Sequence, residues 1–305
     1  MVKLSIVSPV YRAETILSTL VARVEDSIKQ LNVEHELILV EDCSPDSSWN
    51  VIEDLAAQNQ RIIGLKLSRN FGQHIAITAG LEKATGDWIV VLDCDLQDNP
   101  DYIPHLFRQA ISGYDVVLVQ RKSRKDHFAK RLSSLAFYKI FSYMTHSQQD
   151  STVGNYGIYH RKVIDAVLSM GDYTKYFPAQ VRWVGFKQIA LPFEHASRHS
   201  GSSSYSFRRL TALALNNVLS FSDRPLRLAV IYGMGVAVIS FLMGAIYLVF
   251  GITGMVSVSG FVSVITAIFF ATGSIIMVIG IVGLYVGKTF EVAKNRPIYI
   301  IDKIA

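Results

Sequence analysis

Along the first 120 or so residues, short apolar runs alternate with stretches of helical period. The runs are residues 4–10, 37–40, 62–67, 88–92 and 116–119. Between them lie 16–31, 49–58, 73–84 and 103–111, where apolar positions recur every third or fourth residue. Runs this uniformly apolar predict strands of a parallel sheet covered by helices on both faces. Residues 154–192 predict a shorter α/β segment completing the same domain. Ligands of such sheets bind beyond the carboxyl ends of the strands. The polar clusters 11–14, 41–46, 68–72 and 93–98 all fall at such ends.

The pattern then changes. Residues 197–205 form a Ser/Gly/Arg loop. In 207–221, Phe207, Leu210, Ala214, Val218 and Phe221 share one side, with Arg209, Asn216, Ser220 and Asp223 on another. A second such stretch, 128–144, carries Lys130, Arg131 and Lys139 among aromatics, just after Lys122, Arg124 and Lys125. A basic amphipathic helix either packs on the core or lies at a bilayer surface, and a neighbouring membrane segment favours the surface. From Leu228 to Gly287 there is no Asp, Glu, Lys or Arg. Residues 228–250 and 261–286 are each long enough to cross a hydrocarbon core of about 30 Å, with 251–260 as the turn.

Arg208, Arg209, Arg224 and Arg227 precede this pair and Lys288, Lys294 and Arg296 follow it, which predicts both termini on the cytoplasmic side. A hairpin without internal charge is an anchor and not an ion path. Gly280, Gly283 and Gly287 near one face of the second helix permit close helix contact. The expected organisation is a catalytic domain over 1–205, an interfacial helix over 206–225, a membrane hairpin over 226–287 and a cytoplasmic tail over 288–305.

Composition reflects that division. Of 305 residues, 50% are hydrophobic and 18% charged, too apolar for a disordered chain. The net charge of +5 is modest, and a nucleic-acid partner is not expected. Cys43 and Cys94 lie beside acidic residues in loops and are expected to be bystanders without a disulfide. The opening residues run straight into a strand, with no apolar signal core, so the globular part is expected to stay in the cytoplasm.

Asp93-Cys94-Asp95 closes the fourth apolar run. Two carboxylates one residue apart at a strand end can face a divalent cation and the diphosphate it carries; hard oxygen donors suit Mg2+ or Mn2+. Surface loops contain such pairs by chance, but the position after a buried strand favours the metal. Glu41 and Asp42 end the second run, where carboxylates either accept from a base N–H or ribose hydroxyl or serve helix capping with Asp46 and Ser47. Arg69 and Asn70 precede Gly72, where a cation can meet phosphate or simply face solvent. No Gly-x-Gly-x-x-Gly follows any run and no Walker lysine loop is present, which excludes the usual dinucleotide and P-loop readings.

Together these residues resemble glycosyltransferase family 2, more narrowly its polyprenyl-phosphate branch. Ser5-Ile-Val-Ser-Pro-Val-Tyr11 through Glu14 looks like the family's first strand and nucleotide loop, implicating Pro9, Tyr11 and Glu14. Val40-Glu-Asp-Cys-Ser-Pro-Asp46 looks like the uracil-binding turn, which implies that Asp42 reads the base. Ser68-Arg-Asn-Phe-Gly72 and Leu92-Asp-Cys-Asp-Leu-Gln-Asp98 are similar to the third and fourth motifs. They imply Arg69, Asp93 and Gln97 at the nucleotide-sugar and Asp95, with Asp93, at the metal. Arg198-His-Ser-Gly-Ser-Ser-Ser-Tyr205 resembles the branch's Arg-x-x-Gly-x-Ser-x-Tyr loop, implying Arg198, Ser203 and Tyr205 at the acceptor phosphate and donor diphosphate. Gly283 through Tyr299 also looks like the branch's C-terminal end.

The resemblance spans nearly the whole chain. It implies a glycosyltransferase-A fold (a Rossmann-like mixed α/β sheet) and inverting transfer of a hexose from a UDP-sugar to undecaprenyl phosphate. It further implies an inner-membrane location and a homo-oligomer, a tetramer. One motif departs. Where the branch often has Gly-Asp-Phe-Arg, this chain has Gly154-Asn155-Tyr156-Gly157, so the family's base is an amide here. A lipid phosphate, with a second pKa near ~6, needs little deprotonation, and Asn155 therefore favours a phosphate acceptor. Asp150 is the fallback base. Rival readings are a processive polysaccharide synthase, whose Gln-x-x-Arg-Trp is one spacer longer than Gln180-Val-Arg-Trp183, and a non-catalytic membrane scaffold.

Overall fold

A computed structural model describes residues 2–121, 153–172, 175–193, 224–253 and 260–305. Arg198, Ser203, Tyr205, Asp150 and the amphipathic stretches 128–144 and 207–221 lie outside the described residues. The chain divides into two compact units: residues 1–130, 149–204 and 296–305 form one, and residues 131–148 and 205–295 the other.

The first unit is an eight-stranded sheet in the order β7-β5-β6-β4-β1-β2-β3-β8. The strands are β1 (Lys3–Val10), β2 (Glu34–Glu41), β3 (Ile62–Leu67), β4 (Trp88–Val91), β5 (Val116–Arg121), β6 (Val153–His160), β7 (Gln188–Phe193) and β8 (Ile301–Ile304). Strands β1 to β4 are parallel to one another, joined by α1 (Leu17–Lys29), α2 (Ser48–Gln58) and α3 (Gln73–Lys83). β6 runs antiparallel between β4 and β5, and β8 antiparallel beside β3. The sheet is therefore mixed. Its parallel half matches the apolar runs, while the two reversed strands were not separately legible. The segment expected to be a tail contains β8.

α4 (Ile103–Ile111) follows a single 3-10 turn at Pro100–Tyr102, and α5 (Arg161–Leu168) and α6 (Phe177–Trp183) come after β6. One core layer joins α1, α2 and α4 to Leu4, Ile6, Leu37, Leu39 and Val90. The other joins α3, α5 and α6 to Val7, Ile38, Val40, Ile89 and Val91. Alternate residues of each central strand thus face opposite layers, which is why these strands read as continuous apolar runs.

At the amino ends of the strands, buried Glu36 accepts from Ser5 Oγ (2.6 Å) and Thr85 N (2.7 Å), with Lys3 Nζ at 2.8 Å. Burial pushes this carboxyl up, but Lys3, Ser5 and Thr85 outweigh it and hold it below its ordinary value of 4.5. Gly86 closes the network: a Cβ there would lie 2.7 Å from the Ser5 backbone nitrogen.

In the second unit, α7 (Arg224–Ile252) and α8 (Phe261–Ala293) have 29 and 33 residues. Each contains a segment of mean hydropathy 2.0, and both are long and apolar enough to cross a membrane. Their described side chains are largely exposed, as in Phe241 (77%) and Ile276 (64%), so these helices are not buried in a core of this chain. Tyr232 on α7 and Ser274 on α8 share a hydrogen bond of 2.9 Å between their hydroxyls.

Candidate active site

The carboxyl ends of β4, β1, β2 and β3 are adjacent in the sheet, and the four polar clusters follow them directly. Each loop contains one residue in the left-handed region: Arg12 (φ 54°), Cys43 (φ 50°), Gly72 (φ 100°) and Leu96 (φ 57°). For the three non-glycine residues this conformation costs about 1–2 kcal/mol each, and the contacts that hold the loops must offset it.

Asp46 joins the first two loops. Its carboxylate accepts from Ser44 Oγ (2.5 Å), Ser48 Oγ (2.7 Å) and Glu14 N (3.3 Å). Partial burial raises its pKa, but these donors outweigh burial and hold it below the ordinary carboxylate value. Glu14 answers by accepting from Ser47 N at 2.9 Å, and Arg12 N donates to Ser44 Oγ at 2.8 Å. Tyr11 remains 44% exposed at the rim, and Pro9 is buried in β1.

Asp42 is only 3% exposed. Its two oxygens accept from Phe71 N (2.7 Å) and Gly72 N (2.8 Å), and Asn70 Nδ2 donates to its carbonyl (3.2 Å). Burial raises its pKa, and the two amides counter that in part. The residue expected to read a base is thus first a bracket for the third loop. Beside it, buried Glu41 accepts from Ser44 N through Oε1, while Oε2 is buried without a partner among the described residues. Burial raises the Glu41 carboxyl as well. Arg69 is exposed, its guanidinium 4.5 Å from the centre of the Phe71 ring.

After β4, Asp93 and Asp95 are partly exposed, whereas Cys94 between them is buried and its thiol is pushed up to about 12, mainly by burial. The pair therefore offers oxygen donors and no thiolate. Asp93 Oδ1 accepts from Gln73 Nε2 at 2.6 Å, and Asp95 Oδ1 from Gln97 N at 3.1 Å. Buried Asp98 accepts from Asp93 N (3.4 Å), shaping the turn from within. Among the described residues no group of three or more His, Cys, Asp or Glu is arranged to hold a metal.

β6 supplies the remaining wall. Gly157 pairs with Val91. Because β6 runs antiparallel to β4, its first residues, Asn155 among them, lie at the end of β4 that leads to Asp93. The Tyr156 hydroxyl donates to Asn99 O (2.7 Å) and Tyr159 Oη to Asn155 O (2.8 Å), which fix this strand end. At Gly157 a Cβ would lie 2.7 Å from Val117 O, so the backbone here has no room for a side chain.

The structure therefore brings Tyr11, Glu14, Asp42, Arg69, Asp93, Asp95, Gln97 and Asn155 to one edge of the sheet. Sequence reasoning missed Gln73 and the bracing roles of Asp46 and Asp98. Gln73 follows the Ser68–Gly72 motif directly, but nothing in the sequence links it to a carboxylate 20 residues away.

Similarity to known proteins follows the same pattern. The chain is 34% identical to the undecaprenyl-phosphate 4-deoxy-4-formamido-L-arabinose transferase of Proteus mirabilis, over 99% of this chain and 94% of the relative. It is 32% identical to the prophage bactoprenol glucosyl transferase homolog of Escherichia coli, over 99% of each. The fold resembles glucosyl-3-phosphoglycerate synthase from Mycobacterium tuberculosis, solved with Mn2+ and UDP-glucose. That likeness has a TM-score of 0.50 at 15% identity, covering 72% of this chain and 77% of the other. The mixed sheet is thus the glycosyltransferase-A arrangement expected above. Residues 5–168, which hold all four carboxyl-edge loops and the end of β6, match the family described as Glycosyl transferase family 2, and the chain is a glycosyltransferase of that family.

Proposed function

We propose that this glycosyltransferase transfers a hexose from a UDP-sugar to undecaprenyl phosphate, with inversion, at the cytoplasmic face of a membrane. The observation that carries this reading is that both relatives named for a polyprenyl-phosphate acceptor match over 99% of the chain, apolar helix pair included. A catalytic unit tethered by α7 and α8 meets its acceptor at headgroup level, where a lipid phosphate lies.

Asp93 and Asp95 fit a hard divalent cation, Mg2+ or Mn2+, through oxygen donors that the buried thiol of Cys94 does not dilute. When bound, the cation supplies charge neutralisation for a departing nucleoside diphosphate. Asp42 and the Phe71 and Gly72 amides hold the loop that presents Arg69 toward the donor. The lipid phosphate, largely dianionic above its second pKa of ~6, attacks the anomeric carbon as the bond to the diphosphate breaks. No protein base is required, in keeping with an amide at Asn155. Arg198, Ser203 and Tyr205 are the proposed hydrogen-bond donors to the acceptor phosphate and the donor diphosphate.

The test is Asp95→Ala in the full-length enzyme, assayed with and without a chelator. The variant should keep its fold by circular dichroism and lose at least about a hundredfold in transfer, as expected when a principal electrostatic contact to the transition state is lost. Chelated wild-type enzyme should fall to the same level. Near-parental turnover of Asp95→Ala in chelator would remove the metal from the reading.

A further inference from the structure

Ser68 opens the loop that carries Arg69, Asn70 and Gly72, and its N–H donates to the carbonyl of Ile300 at 2.9 Å. Ile300 stands at the entry to β8. One residue earlier, Tyr299 packs on the core layer beneath α3, and its hydroxyl donates to Glu82 Oε2 on that helix. α3 begins at Gln73, next to the same loop. Beyond β8, Ala305 N donates to Gly64 O (2.9 Å) and Gly64 N to Ala305 O (2.8 Å). Gly64 has no room for a side chain here, because a Cβ would lie 2.5 Å from Ile52 Cγ2 and 3.3 Å from Ala305 Cβ.

All four residues of β8 are exposed, so apolar burial adds little to its attachment. What holds the segment is a short backbone ladder and the Tyr299 anchor. Such a segment lies at the low-stability end of a fold, yet it grips the first residue of a site loop. A shift of Ser68 would be passed to the Phe71 and Gly72 amides on Asp42 and to Gln73 on Asp93.

We propose that residues 299–305 form a strap that positions the 68–72 loop, with Tyr299 as its positioning residue, and that this strap sets how tightly the site takes its nucleotide-sugar. The inference rests on the donor class proposed above. Misplacement of a binding loop by about 1 Å can cost two orders of magnitude, so a weakly held strap has leverage.

Three proteins test it in detergent: the full chain, Tyr299→Phe, and a chain truncated after Arg296 with or without a synthetic peptide of residues 297–305. For Tyr299→Phe, donor KM should rise about three- to tenfold with kcat at saturating donor little changed, the effect of losing one hydrogen bond. The truncated chain should show a larger rise, reversed by millimolar peptide through strand addition. Hydrogen exchange of amides 68–72 should quicken in both variants and slow again with peptide. Unchanged KM and unchanged exchange in Tyr299→Phe would overturn the strap, even where the truncated chain fails to fold. If the parent protein takes no UDP-sugar, the functional reading fails instead. The strap as a loop-positioning device then stands or falls on the exchange of amides 68–72 in Tyr299→Phe.

Discussion

Asp42 satisfies two consecutive backbone amides with one carboxylate, and that contact decides what its replacement should do. In Asp42→Asn, one amide donor would face the N–H of Phe71 or Gly72 inside a buried site. Leaving a buried donor unmet costs about 1–3 kcal/mol, so the variant should lose stability and donor affinity together. Gly72→Ala should produce a similar loss by another route. No atom lies within 4 Å of the Cβ it would gain, but φ of 100° is strained for any side chain, at about 1–2 kcal/mol. Thermal unfolding alongside donor KM checks both. A Gly72→Ala protein as stable as its parent would show that the loop relaxes freely. At this scale the sequence disclosed which residues cluster but not their division of labour. Asp42 and Phe71 are 29 positions apart, and only the β2–β3 register brings them together.

Elements were legible in proportion to what they bury. β1, β2 and β4 lie between two helical layers, so burial wrote itself into the sequence as continuous apolar runs. β6 carries Gly154, Asn155 and Gly157, poor strand formers, and is a strand because β4 and β5 pair with it on both sides. β8 buries no side chain and leaves no periodic signal. The two helices were legible as long apolar stretches, but not the contact between the Tyr232 and Ser274 hydroxyls. Tyr232→Phe should weaken the α7–α8 pair by about 0.6 kcal/mol, the average for such bonds in membranes, measurable by unfolding in mixed micelles.

The Glu36 network makes a pH prediction for the sheet. Because the folded pKa lies below the ordinary 4.5, its stabilisation is present above that value and is lost as pH falls through the folded pKa. Glu36→Gln should therefore be less stable than the parent at pH 7. The gap in unfolding midpoint should narrow steadily below about pH 4.5. A gap independent of pH would mean that packing, not charge, accounts for the loss.

The whole molecule joins a sugar-transfer sheet to an apolar helix pair whose ends carry Arg224 and Arg227 on one side and Lys288, Lys294 and Arg296 on the other. The acceptor is the decisive feature of the proposed reaction. The direct measurement is the initial rate of sugar transfer by the purified full-length enzyme from UDP-sugars. It compares undecaprenyl phosphate with free sugars as acceptor, across pH 5 to 9, as rough limits that bracket the phosphate's second pKa of ~6. The expected product is labelled undecaprenyl-phosphate-sugar, formed at a rate that rises as the lipid phosphate becomes dianionic and then levels, in Asn155→Ala as in the parent. Glycosylation of a free sugar hydroxyl as fast as that of the lipid phosphate would contradict it.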